Sequence, residues 1–223
     1  MADNSAARSS TTAVPDKHPG SHAHPMNHLA HALLADAGGP EFALGSALGD
    51  FVRGRPDPAW PAARQAGLRF HRAIDGFTDA HPAVVAARRC FEPPMRRYAG
   101  IVLDVWFDHL LVRGWGRYVT DESLAHFSGR WLTLLDAHAA ELPESLRGFL
   151  AWMHGHGLPE AYGNDATLDV VFHALARRLS RPSPTGEALH ALRARADALQ
   201  LQFDTFFPEL LVNARELRRK MLA

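Results

Sequence analysis

Apolar residues recur every three or four positions along most of the chain from Met26 onward, and no stretch alternates strictly between apolar and polar side chains. A period near 3.6 is typical of amphipathic helices, whereas a period of two would indicate β-strands. The pattern therefore predicts an all-α fold, a helical bundle in which each helix turns an apolar face inward.

Proline and glycine separate the predicted helices, since proline favours the first turn of a helix and glycine the residue after its end. Gly38-Gly39-Pro40 ends the first helix, and Pro61 begins a long one. The predicted helices cover residues 26–36, 41–52, 61–79, a short stretch from 82, 95–114, 121–140, 144–154, 165–180 and 186–204, with a last turn or two beginning at Pro208.

Residues 1–25 differ from the rest of the chain, because they are small, polar and proline-containing, with few large apolar side chains. Such a segment cannot bury enough apolar surface to offset the entropy lost on ordering. The sequence therefore predicts a disordered N-terminal tail over residues 1–25 and a single all-α domain over residues 26–223.

Composition narrows the class of protein. The 223 residues are 47% hydrophobic and 22% charged, with 24 basic and 24 acidic side chains. A nucleic-acid-binding protein is usually basic, so we expect no nucleic-acid partner. A single cysteine, Cys90, excludes an internal disulfide and a multi-thiolate metal site. With neither a membrane-spanning apolar run nor a signal-peptide pattern, we expect a cytoplasmic protein that does not contact a membrane.

Polar residues that interrupt the apolar pattern fall in four segments of the N-terminal half. These are residues 27–31 with His28 and His31, residues 49–54 with Asp50 and Arg53, residues 70–79 with His71, Arg72, Asp75 and Asp79, and residues 101–111 with Asp104, Asp108 and His109. Residues three or four apart share one helix face, so each helical segment presents its polar groups together.

The last segment indicates a metal most directly. Asp104 and Asp108 lie one turn apart on a helix that is apolar on all sides, and buried carboxylates stay ionised only beside a cation or strong donors. Oxygen and imidazole ligands suit Mn²⁺, Mg²⁺, Fe or Zn²⁺. Spacing alone leaves an alternative open, in which arginines neutralise the carboxylates and His28 and His31 are core histidines.

The same four segments, in this order, resemble the bacterial acyl carrier protein phosphodiesterase family. The matching residues are Met26, Asn27, Leu29, Ala30 and His31, then Asp50 to Gly54, then His71, Arg72, Ile74, Asp75, Thr78 and Asp79, then Leu103, Asp104, Val105, Asp108 and His109, with Phe206-Phe207-Pro208 near the end. His28 departs from the family pattern, which usually has an apolar aromatic residue there, so no role is carried over to it.

The resemblance implies an all-α fold distantly related to the HD-domain phosphohydrolases. It also implies hydrolysis that depends on Mn²⁺, with Mg²⁺ or Fe²⁺ as other candidate ions. The implied substrate is holo-acyl carrier protein, in which a phosphodiester joins 4′-phosphopantetheine to a serine. Cleavage would release the apo-carrier protein and free 4′-phosphopantetheine.

Roles at the matched positions also follow from the resemblance. The implied metal ligands are Asp50, His71, Asp104, Asp108 and His109, the implied catalytic residues are His31 and Asp75, which would bind the metal or orient its ligands, and the implied phosphate-binding residues are Arg53 and Arg72. An anionic phosphodiester repels hydroxide, so its hydrolysis needs positive charge and a water of lowered pKa, both of which a divalent metal supplies.

Two other functions stay open. One is an HD-like metal phosphohydrolase that acts on a nucleotide or another small phosphodiester. The other is a helical protein that binds carrier proteins without cleaving them, although every matched Asp and His is present. Carrier proteins are small and acidic, so a local basic face at 53–55, 88–89 or 96–97 is a candidate docking surface.

Overall fold

A computed structural model describes residues 28–179 and 181–223 of the chain. Within these ranges every regular element is a helix, and no described residue belongs to a β-strand. The predicted all-α fold is confirmed, while the predicted disordered tail over residues 1–25 lies outside the described residues. None of the described helices combines the length and the apolar character needed to cross a membrane.

The described α-helices follow one another with short connections. They are α1 (His28–Asp36), α2 (Pro40–Ala47), α3 (Ala62–Ala80), α4 (Pro82–Arg89), α5 (Ala99–Arg113), α6 (Trp115–Tyr118), α7 (Leu124–Ala137), α8 (Glu144–His156), α9 (Asp165–Arg178), α10 (Ala188–Arg193) and α11 (Ala196–Leu222). Short 3₁₀ turns lie at Met95–Tyr98, Ala139–Glu141, Glu160–Gly163 and Pro184–Glu187. The apolar period therefore located most helices, with ends that differ by a few residues.

Helices α2 and α3 form a closely packed pair whose contact requires glycine. A Cβ atom at Gly45 would overlap the carbonyl group of Arg64, and one at Gly67 would overlap the carbonyl group of Phe42. The backbone of each helix thus lies directly against the other. This close approach brings the loop after α2, with its polar residues, next to the middle of α3.

Helix α5 is the buried helix that its apolar sequence predicts. Every residue from 102 to 111 is buried, including the three polar residues Asp104, Asp108 and His109. Helices α1, α4 and α11 pack around it. The polar groups of α5 therefore have to find partners inside the protein rather than in water.

The C-terminal region differs from the prediction. Residues 186–204, predicted as one helix, form α10 and the first part of α11, and α11 continues through Pro208 instead of beginning again there. Proline lacks the N–H that would bond to the carbonyl four residues earlier. Phe206, Phe207 and Leu210 are all buried, and their burial offsets that lost hydrogen bond.

We expect Gly67→Ala to destabilise the fold, because the new methyl group would force α2 and α3 apart. Overpacking of this kind costs about 1–3 kcal/mol of unfolding free energy, read from urea denaturation followed by circular dichroism. Gly129→Ala in α7 is the matched control, since nothing lies within 4 Å of a Cβ atom there. Equal stability of the two variants would contradict this account of the helix contact.

Candidate metal centre

Four segments bring polar side chains to one buried region, as their shared departure from the apolar pattern predicts. Helix α1 carries two of these residues, α3 carries two, α5 carries one and the loop after α2 carries one. They are His28, His31, His71, Asp75, Asp104 and Asp50. The histidines of the first three segments therefore meet Asp50 and Asp75 in space, and of the fourth segment Asp104 joins them.

His31, His71 and Asp75 form the centre of this region, with one ligand atom from each lying within 4.8 Å of the other two. His31 Nε2 is 3.0 Å from Asp75 Oδ1, and His71 Nε2 is 3.3 Å from Asp75 Oδ2. The two imidazole rings stack with their centroids 3.7 Å apart. Both histidines are buried, whereas one third of the Asp75 side chain is exposed, so Asp75 connects the imidazoles with solvent.

Asp50 lies on a second side of His71, with its Oδ1 atom 3.4 Å from His71 Nε2. Its Oδ2 atom is 3.9 Å from Nδ1 of His28, whose ring packs against Phe149 at a centroid distance of 4.4 Å. The resemblance assigned no role to His28, yet the structure places it beside Asp50. The spacing of His28 and His31 on one helix face was the signal for this placement.

Charge is unevenly divided within the group. Burial lowers the pKa of His71, but the contacts with Asp50 and Asp75 outweigh it and raise this pKa to about 10. Burial likewise opposes ionisation of Asp75, yet its contacts with the two imidazoles bring its pKa well below the usual range. Burial dominates for His28, lowering its pKa to about 4. Without a metal, the proton of the group therefore resides on His71.

Asp104 adds a third carboxyl group, which comes from α5. Burial first, and the charge of Asp75 next, raise the pKa of Asp104 well above its usual value. The guanidinium of Arg88 opposes this rise only in part. Burial and neighbouring negative charge therefore favour the protonated form of this carboxyl group, and a nearby positive charge opposes them. A positive charge placed next to Asp104 would thus lower the pKa of its carboxyl group.

Several buried atoms of the centre lack a hydrogen bond of normal geometry among the described residues. They are both ring nitrogens of His71, Nδ1 of His31 and Oδ2 of Asp50. Buried polar atoms are rarely left in this state unless an ion or a water completes them. Imidazole nitrogen and carboxylate oxygen are ligands of divalent transition-metal ions. The donor set of His31, His71 and Asp75 therefore fits a divalent metal ion.

Asp108, which the resemblance implies is a metal ligand, is not part of the cluster of His31, His71 and Asp75, and its role as a ligand stays a prediction. Its two carboxylate oxygens accept hydrogen bonds of 3.0 Å from the backbone N–H groups of Leu29 and Ala30, at the start of α1. These N–H groups have no partner within their own helix. Burial raises the pKa of Asp108 to about 8 against the effect of these two donors. The observed contacts of Asp108 are thus those of a helix cap supplied from α5.

His109 also lies outside the group of candidate ligands. Its Nδ1 atom donates a hydrogen bond to the backbone carbonyl of Tyr162, 2.7 Å away. Its ring stacks on Trp106 with the centroids 4.6 Å apart. The side chain next to Asp108 in sequence therefore points to a different part of the core, because consecutive residues of a helix face different directions. Its implied role as a metal ligand stays a prediction.

The two arginines predicted to bind phosphate occupy different positions. Arg72 donates hydrogen bonds to the carbonyl groups of Val52 and Gly54, so it holds the loop that follows Asp50. Arg53 is an exposed residue of that same loop. The structure therefore gives Arg72 a structural contact and leaves Arg53 at the surface beside the centre.

Gly49 is a residue of the site that the sequence analysis missed. A Cβ atom there would overlap the imidazole ring of His71. Only glycine lets the end of α2 lie directly against this ring. The chain offered one signal, the position of Gly49 immediately before Asp50, but nothing in the sequence identifies the ring that occupies the space.

Comparison with known proteins identifies the family of the chain. The family model described as acyl carrier protein phosphodiesterase matches residues 26–210. Curated relatives with that same name come from Photorhabdus laumondii, 32% identical, Yersinia pestis, 31%, and Enterobacter, 33%. Each alignment covers 85% of this chain, together with 95%, 98% and 98% of the respective relative. No solved structure shows a significant match.

We expect metal binding to release a proton, because His71 is protonated below pH 10 in the metal-free group and must lose that proton to bind an ion. The apparent affinity for Mn²⁺ should therefore rise about tenfold per pH unit between about pH 6 and 8. Calorimetry in two buffers of different ionisation enthalpy measures the number of protons released. An affinity that does not change with pH would exclude His71 as a ligand.

We expect Asp108→Asn to separate stability from metal binding. The variant leaves one backbone N–H of α1 without an acceptor, which costs about 1–3 kcal/mol of unfolding free energy. Its affinity for Mn²⁺ should stay within about threefold of wild type, whereas His71→Ala should lose binding. Urea denaturation and Mn²⁺ titration give the two readouts. Loss of Mn²⁺ affinity in Asp108→Asn, with the variant shown to be folded, would restore Asp108 to the ligand set.

Proposed function

The chain belongs to the acyl carrier protein phosphodiesterase family, and we propose that it hydrolyses the phosphodiester between 4′-phosphopantetheine and a carrier-protein serine. The observation that carries this proposal is the buried group of His31, His71 and Asp75, whose ligand atoms converge within 4.8 Å. The group lies within the residues matched by the family model. Residues 26–223 would then form one phosphodiesterase domain.

We propose that His31, His71 and Asp75 hold a divalent ion, with Asp50 beside them as a fourth ligand. Two imidazoles favour Mn²⁺ or Fe²⁺ over Mg²⁺, which prefers oxygen ligands, so Mn²⁺ is the proposed ion. When bound, the ion supplies positive charge to the phosphoryl oxygens and lowers the pKa of a water molecule. The contacts of both Nε2 atoms with the Asp75 carboxylate support this assignment, because they bring two imidazole nitrogens to the same group.

The proposed reaction adds water across one P–O bond. The oxygen of water bonds to phosphorus and gives up one proton, the bond from phosphorus to the serine oxygen breaks, and the serine oxygen takes one proton, so that the proton lost by water replaces the one that the proton donor gives to serine. Asp104 is the proposed proton donor, since burial raises the pKa of its carboxyl group well above the usual value and so favours the protonated form. The products are the apo-carrier protein and free 4′-phosphopantetheine.

Two arginines support the reaction from the loop that contains Asp50. Arg53 is exposed there and is the proposed contact for a non-bridging phosphate oxygen. Arg72 acts through the loop, because its two hydrogen bonds hold the carbonyl groups of Val52 and Gly54. Substitution of Arg72 should therefore affect the position of Asp50 as well as that of Arg53.

The test is mass spectrometry of purified holo-acyl carrier protein after incubation with the enzyme, with Mn²⁺ or with EDTA. We expect the carrier to lose the mass of phosphopantetheine only when metal is present. His71→Ala should lower the rate by more than about 100-fold, since it removes a ligand rather than a group that orients one. His126→Ala, an exposed histidine of α7, is the matched control and should keep the wild-type rate.

Two results would contradict the proposal. If the carrier keeps its prosthetic group while a nucleotide or another small phosphodiester is cleaved with Mn²⁺, the substrate is wrong and the metal centre is right. If His71→Ala cleaves the carrier at the wild-type rate, the assigned centre is wrong.

A further inference from the structure

A cavity of about 720 Å³ lies between two segments that are far apart in sequence. The residues around the 3₁₀ turn before α5 form one wall, with Arg97 and Tyr98, and Pro182 and Pro184 after α9 form the other. Proline has few conformations to lose on binding, so this wall is rigid at little entropic cost. The Arg97 guanidinium lies 6.0 Å from the centre of the Tyr98 ring, which favours its orientation beside the cavity.

Positive charge is concentrated on these two segments, although the whole chain is neutral. Seven arginines belong to them, namely Arg88, Arg89, Arg96 and Arg97 on the first and Arg177, Arg178 and Arg181 on the second, against one acidic residue, Glu92. Asp79 pairs with Arg88, and Glu92 lies 3.5 Å from Arg96. The exposed residues Arg89, Arg97 and Arg181 form no ion pair among the described residues. A neutral protein thus presents a local basic surface.

The basic surface adjoins the metal centre. Arg178 ends α9 four residues before Pro182, and its charge acts on Asp50 and lowers the pKa of His28, although burial lowers that pKa more. On the other wall, Asp104 follows Tyr98 by six residues, which is about 9 Å along a helix. On the α5 side, the cavity and the centre therefore lie within about two helical turns of each other.

The bond of the proposed reaction requires such a neighbouring surface. Only a serine side chain separates the phosphorus from the backbone of the carrier, so cleavage brings the carrier surface against the rim of the site. The acidic surface of a carrier protein is attracted most strongly where the rim of the site carries arginines that form no ion pair. A small-molecule phosphodiester would make no comparable demand on residues beyond the centre.

We infer that Arg97, which lines this cavity, forms the docking surface for the acidic face of the carrier protein together with Arg89 and Arg181, the exposed arginines of the same two segments. The inference rests on the proposed function, and it assigns the partner by charge rather than by apolar contact. Arg53 and Arg55, on the loop after α2, belong to another segment and are not part of this surface. Electrostatic interactions between such surfaces mainly increase the rate of association, and they weaken as the salt concentration rises.

The test is the double variant Arg97→Glu/Arg181→Glu, assayed with holo-acyl carrier protein and Mn²⁺. We expect KM to rise about tenfold at low salt with kcat unchanged, and the difference to shrink below about twofold near 0.5 M salt. Arg113→Glu is the matched control, an exposed arginine at the opposite end of α5, about 21 Å away along the helix from Ala99. The Mn²⁺ affinity of both variants should equal that of wild type.

Fluorescence anisotropy with labelled apo-carrier protein separates this inference from the proposed function. If wild type does not cleave the holo-carrier, the proposed function fails, and weaker apo-carrier binding by the double variant still supports the docking surface. If wild type cleaves and the double variant keeps the wild-type KM, the docking surface is overturned. It is also overturned if the double variant binds apo-carrier like wild type, or if single-stranded RNA binds wild type more tightly than the carrier does.

Discussion

The rest of the site depends on one arrangement, a buried imidazole held between two carboxylates. His71 Nε2 lies 3.4 Å from Asp50 and 3.3 Å from Asp75, and these contacts keep the ring charged in spite of its burial. Such a group is stable without a metal because the proton neutralises the carboxylates. The same geometry gives a divalent ion a ready set of ligands, since the ion only has to replace that proton. The affinity of the centre for metal is therefore a competition between ion and proton for one nitrogen.

Residues that touch no ligand maintain this arrangement. Gly49 leaves room for the His71 ring, and Arg72 holds the loop that carries Asp50 by bonding to two of its carbonyl groups. Asp108 contributes from a distance, because its bonds to the first N–H groups of α1 fix the helix that carries His31. A residue in the same sequence motif as a candidate ligand can thus stabilise the centre by forming hydrogen bonds to the backbone. This explains why a buried carboxylate in the fourth segment does not have to be a ligand.

The sequence located the helices well and the site in part. Apolar spacing predicted α3 and the buried helix α5, and the interrupted pattern identified the segments that carry His31, His71 and Asp75. It could not distinguish Asp104 from Asp108, because both lie on one face of α5 and only the position of α1 decides which of them meets a helix end. The prediction of a new helix at Pro208 was wrong for a similar reason. The sequence shows that a proline within a helix costs a hydrogen bond, but it does not show that the burial of Phe206 and Phe207 offsets this cost.

A net charge of zero hides how the charge of this chain is distributed. The centre combines carboxylates with imidazoles, while the arginines beside it lie on segments that almost lack acidic residues. An anionic substrate attached to an acidic protein has to overcome repulsion from Asp50 and Asp75 before it can reach the centre. Arginines at the rim would reduce this repulsion for the carrier protein, and a cation in the centre would reduce it for the phosphate group. In the proposed reaction the two positive regions act in series, and specificity for a macromolecule would follow from the outer one.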